Sequence, residues 1–107
     1  MSEPGKPIAL DQLREEDFAS RRGERFRLRL PSGETLGVEL VEVAGHPYLP
    51  PGPGRRRGFT VTFRSDRPGH LPQAIYPVEH DEMGTMELFL VPLGPRDGGM
   101  CYDAVFN

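Results

Sequence analysis

Cys101, His70 and His80 are the residues with which this chain could most directly do chemistry, because a thiol becomes a nucleophile at neutral pH only beside a base or a positive charge. Nothing in their spacing sets a nucleophile against a base. The alternating run around Cys101 instead gives the thiol an ordinary structural place on a strand. His80, Asp81 and Glu82 offer three metal-ligating side chains in succession. Adjacent residues in a strand or turn point different ways, however, and no second His or Cys completes a coordination set, so polar turn residues describe them equally well. Ser20, Ser32 and Ser65 lie outside any G-x-S-x-G context. No catalytic residue, cofactor site or metal site is assigned.

The remaining candidates concern contact. Arg55, Arg56 and Arg57, with Arg25, Arg27 and Arg29, could form a basic face, and Phe63 or Tyr76 could stack on bases. The glycines of that loop do not form the phosphate-cradling G-x-x-x-x-G-K-[ST] pattern. The chain as a whole is acidic, with a net charge of -3 and a pI near 5.6. That balance disfavours nucleic acid and anionic membranes, which reward a net positive surface. Tyr76, His80, Phe89, Tyr102 and Phe106 join Arg55, Arg56 and Arg57 as the residues expected to meet a partner. An alternative gathers Tyr76, His80, Glu79 and Tyr102 around a ligand pocket in a small barrel.

These residues need a scaffold, and the sequence says which kind. At 107 residues there is material for one core, read as a single β domain spanning 1–107. The 13 Gly and 12 Pro call for many turns and few long helices. A lone Cys101 cannot close an internal disulfide. The opening residues lack the basic, apolar and small-residue order of a secretion signal, so the expected compartment is the cytoplasm at synthesis, with release in an assembled particle left open. No apolar run approaches the roughly 20 residues of a helical membrane span.

In chain order, residues 1–7 read as a flexible arm, and residues 8–20 as a short helix with Leu10, Leu13 and Phe18 near helical spacing and Gly23 as its stop. Phe26, Leu28 and Leu30 alternate with Arg25, Arg27 and Arg29 in a first strand, and Pro31 to Glu34 supplies a hairpin turn. In the returning strand, Leu36, Val38 and Leu40 share one face but Val41 and Val43 share the other, which predicts a bulge at Leu40–Val41. Residues 45–57 read as an exposed Pro/Gly/Arg loop. Phe59, Val61 and Phe63 mark a third strand. Tyr76 and Val78 mark a fourth, with Pro77 suiting an edge or bulge. Met86, Leu88 and Leu90 face away from Glu87, Phe89 and Val91 in a fifth, and the stretch from Pro92 to Gly99 reads as its connection to a sixth. In that last strand Met100, Tyr102, Ala104 and Phe106 share a face. About six mainly antiparallel strands and one N-terminal helix predict an all-β domain, either a small barrel, closed or partly open, or a two-layer sandwich. Closure is favoured because it removes exposed edges.

The C-terminal series LPQAIYPVEHDEMGTMELFLVPLGPRDGGMCYDAVFN resembles the signature of a family of short uncharacterised bacterial proteins. In that family LPQ-x-x-Y-x-x-x-H leads into G-x-x-x-x-F-x-V-P-x-G and closes on Y-x-A-V-F-N. The matching positions are Leu71, Pro72, Gln73, Tyr76, His80, Gly84, Phe89, Val91, Pro92, Gly94 and Tyr102 through Asn107 with Asp103 excepted, and the likeness extends to Phe18, Gly23 and Phe26. The resemblance implies no activity. It implies association with proteins of the phage tail-collar or tail-fibre type. The sequence therefore predicts a non-enzymatic structural or assembly domain that pairs with itself or a protein partner.

Overall fold

The computed structural model describes residues 12–46, 58–67, 71–96 and 98–106. Outside them lie the predicted arm, the first residues of the predicted helix, nearly all of the 45–57 loop with Arg55, Arg56 and Arg57, the Pro68–Gly69 turn, His70 and Asn107. One short helix, α1 (Glu15–Ala19), precedes six strands: β1 (Arg25–Arg29), β2 (Thr35–Gly45), β3 (Phe59–Ser65), β4 (Ala74–His80), β5 (Gly84–Arg96) and β6 (Gly99–Phe106). All neighbours pair antiparallel, and the order β1-β2-β3-β6-β5-β4 closes on itself as a barrel. Closure decides between the two predicted architectures.

The alternation read in the sequence sets the inside and outside of the barrel. Phe26, Leu28, Val38, Leu40, Phe59, Val61, Phe63, Val78, Met86, Leu88 and Leu90 are buried, and the residues between them on β1 and β5 face outward. The interior is layered by its rings. Phe59 and Phe106 are register partners, stacked with centroids 4.5 Å apart. Phe18 tilts against both at 5.9 and 5.4 Å, so α1 covers the barrel end where β3 starts and β6 finishes. Further along, Phe26 meets Phe63 edge-on at 5.2 Å, a favoured aromatic geometry.

The bulge falls where the pattern placed it, with a register shift between Leu40 and Glu42. On the other side of β2 the contact with the first hairpin arm runs on past the N-terminal end of β1. β1 pairs with β2 as far as Glu39, and Leu40 then bonds the residues that precede β1, accepting from Gly23 N–H at 2.8 Å and donating to Glu24 C=O at 3.1 Å.

Two expectations are corrected. The helix is shorter than 8–20: Leu13 is buried but not helical, and Arg14 has extended angles (φ -123, ψ 160). Asp17 fixes the start by accepting the Arg14 N–H at 2.9 Å, and Gly23 takes φ +89 four residues beyond the last helical position. The stretch after Val91 is strand, not connection, since β5 continues through Pro92↔Tyr102, Gly94↔Cys101 and Arg96↔Gly99. A register shift between Pro92 and Gly94 accommodates the prolines. Pro77, as its type suits, lies at a local edge of the ladder. It pairs with Glu87 on β5, and on its other side the β1–β4 join stops one residue short of it, at Leu28↔Val78. A residue without an N–H thus lies where no donor is asked for. That join comprises two register pairs, Arg27↔Glu79 and Leu28↔Val78, against five to seven at every other.

Candidate functional site

His80 ends β4, and the next three residues turn the chain into β5, with Gly84 at φ +83 opposite it. Its ring is buried, 6% exposed, and lies 4.5 Å from the Phe26 ring. Nδ1 accepts the backbone N–H groups of Glu82 at 3.1 Å and Met83 at 3.2 Å. These bonds need the Nδ1 lone pair, so in the neutral ring the proton resides on Nε2, which donates to Glu24 Oε1 at 2.7 Å. His80 is thus the staple of the β4–β5 turn.

Glu24, His80 and Glu82 each offer a ligand atom within 4.8 Å of the others, which makes them the metal candidate among the described residues. The donor set does not fit. A ligating imidazole binds through one nitrogen and donates from the other, whereas Nδ1 here already accepts two backbone bonds and Nε2 carries the proton. A cation at Nε2 would displace that proton and break the turn. Glu24, 56 residues from His80, carries no sign in the sequence of this meeting.

The residues proposed to line a pocket have their polar groups occupied by the scaffold. Tyr76 and Tyr102 are buried and anchor the segment before β4: Tyr76 Oη donates to Pro72 C=O at 2.6 Å, and the Leu71 N–H donates to Tyr102 Oη at 3.0 Å. Glu79 faces outward, taking Arg29 and Arg27 as partners. Burial, and secondarily the Tyr102 phenol nearby, push the Tyr76 hydroxyl above its ordinary value of 10.0. Because the folded state holds this proton more tightly, the contribution of Tyr76 to stability should be full below about pH 10 and be lost as pH rises through the elevated folded value. Tyrosinate absorbance should accordingly show one late-titrating phenol that disappears in Tyr76→Phe; an unchanged titration in that variant would refute the assignment.

Cys101 is buried on β6, in register with Arg64 and Gly94, while both ring nitrogens of His80 are engaged elsewhere. No thiol–imidazole pair forms between them. Thr62, also buried, donates to Asp103 across β3 and β6 at 2.6 Å. On β1 the arginines meet acids: Arg25 with Asp66 and Arg27 with Asp81, both at 3.0 Å, and Arg29 with Glu79, which holds the guanidinium's pKa above its usual value. Exposed pairs like these add little stability, but they leave that face without surplus positive charge.

Of the contact candidates, Tyr76, His80, Tyr102 and Phe106 therefore belong to the interior, and Phe89 stands outside, 48% exposed. Sequence reasoning missed its neighbours. Ile75 (64% exposed) is its register partner on β4, and the Leu90↔Ala104 register, carried one residue further, sets Val105 (55%) beside it on β6. The signal was available: Ile75 and Val105 fall on the opposite parity to the core residues of their strands.

Fold and chemistry together define a small closed β-barrel domain whose buried polar groups serve its own turns and strand pairs, with an apolar row on its outer wall. The chain belongs to the family described as Domain of unknown function (DUF6916), which matches residues 13–106. No curated protein and no solved structure matches it. Among the described residues no helix is long and apolar enough to cross a membrane.

Proposed function

We propose that this domain is a non-enzymatic contact module that works by docking a protein partner on its barrel wall. The observation that carries this is the direction of its side chains. His80, Tyr76, Tyr102 and Thr62 point into the scaffold's own hydrogen bonds, while Ile75, Phe89 and Val105 form an adjacent apolar row facing out. Single exposed apolar residues are ordinary; contiguous ones mark sites of association. A role as a component of a phage-tail-like particle is a narrower version of this reading, supported by the C-terminal sequence resemblance.

A photo-crosslinking residue in place of Phe89 or Ile75, expressed in the native host, tests the reading. Discrete protein adducts are expected there and not at Thr35, which is exposed on β2 away from the row. Adducts of equal yield at all three positions, or none at any, would rule it out.

A further inference from the structure

The six strands close on themselves, and the outer wall of the barrel offers side chains for recognition. The row from Ile75 through Phe89 to Val105 crosses three neighbouring strands, and Leu93, 51% exposed, lies further along β5. The stretch of chain that supplies it is acidic. Arg96 is the sole one of the 13 Lys and Arg residues that follows Arg67 in the chain, against Glu79, Asp81, Glu82, Glu87, Asp97 and Asp103. Glu79 is neutralised by Arg27 and Arg29. Glu87, two residues from Phe89 and on the same side of β5, is exposed and forms no ion pair among the described residues. Asp103, two residues from Val105, takes a hydroxyl and no cation among those residues.

Resting on the contact reading above, we propose that the outer face of β4, β5 and β6 binds a segment of another protein that carries two or three apolar side chains flanked by arginine or lysine. The apolar side chains cover Ile75, Phe89 and Val105, and the cations meet Glu87 and Asp103. A second copy of this chain fits worse. In a two-fold dimer the same patch meets itself, which sets Glu87 and Asp103 against their own like charges. The arginines of β1 that could complement them already pair with Asp66, Glu79 and Asp81.

Three short synthetic peptides test this against the full chain: one alternating leucine with arginine, one with glutamate in place of arginine, and one with serine in place of leucine. The leucine–arginine peptide should shift the backbone amide resonances of Ile75, Phe89 and Val105. Phe89→Ser should weaken it about tenfold or more, as expected when an aromatic anchor is lost. Glu87→Gln and added salt should each weaken it severalfold. Unaltered thermal unfolding of Phe89→Ser would show that the fold is intact. Equal binding by the glutamate or serine peptide, shifts confined to other strands, or a Phe89-dependent dimer in sedimentation would overturn the proposal. Crosslinks at Phe89 to an acidic or uncharged segment would overturn it too, while leaving the contact reading standing.

Discussion

Phe18→Ala should destabilise the protein by about 3–5 kcal/mol, a large share of the ~5–15 kcal/mol that holds a domain of this size together. The side chain is fully buried and touches the Phe59 and Phe106 rings, so truncation removes apolar contact and leaves a cavity between two strands that cannot close over it. The helix adds to the loss. At five residues α1 cannot persist alone in water, because helix nucleation outweighs what so few internal bonds return. Phe18 is the buried residue of that helix, so without it the helix should melt from the barrel end. Urea unfolding measures the total, and hydrogen exchange localises it, with amides 15–19 exchanging freely while β5 and β6 stay protected. A cost below about 0.5 kcal/mol, typical of a surface site, would show that the helix does not seal that end.

Gly99→Ala should be nearly as damaging, for a different reason. A Cβ at Gly99 would lie 1.9 Å from the Ser65 carbonyl oxygen, a backbone atom that cannot rotate away. β3 and β6 would have to separate where Ser65 pairs with Met100. Overpacking of this sort costs about 1–3 kcal/mol or more, which lowers the melting temperature by roughly 4–8 °C for each kcal/mol. Gly37→Ala is the control, since the nearest atom to its Cβ is the end of the Arg25 side chain, at an unstrained 4.0 Å. If both variants melt with the wild type, the close approach of β6 to β3 is not a constraint on the fold.

Period-2 alternation carried most of the architecture. Met86, Leu88 and Leu90 separate cleanly from Glu87 and Phe89, and the parity change at Leu40–Val41 locates the bulge, because a closed barrel tolerates no uncertainty about which side is inside. The end of β5 was illegible for the opposite reason. Pro92, Gly94 and Pro95 have the composition of a turn, and only pairing with Tyr102, Cys101 and Met100 keeps them extended. The helix was overdrawn because Leu13 is buried at about the right spacing without being helical. For the site, parity was sufficient to turn Phe89 outward. It equally turned Tyr102 and Phe106 inward, where they pack rather than present a surface. The partnership of His80 with Glu24 joins residues far apart in sequence, and residue type alone gives no hint of it.

The narrow join between β1 and β4 bears on how the cylinder comes apart. With two ladder steps to lose there, and with Arg27 and Arg29 reaching across to Glu79 and Asp81, the wall should unroll along that line before any other seam yields. Electrolyte that screens those charges would make such breathing more frequent, and the β1–β4 seam would be the last to close as the chain folds.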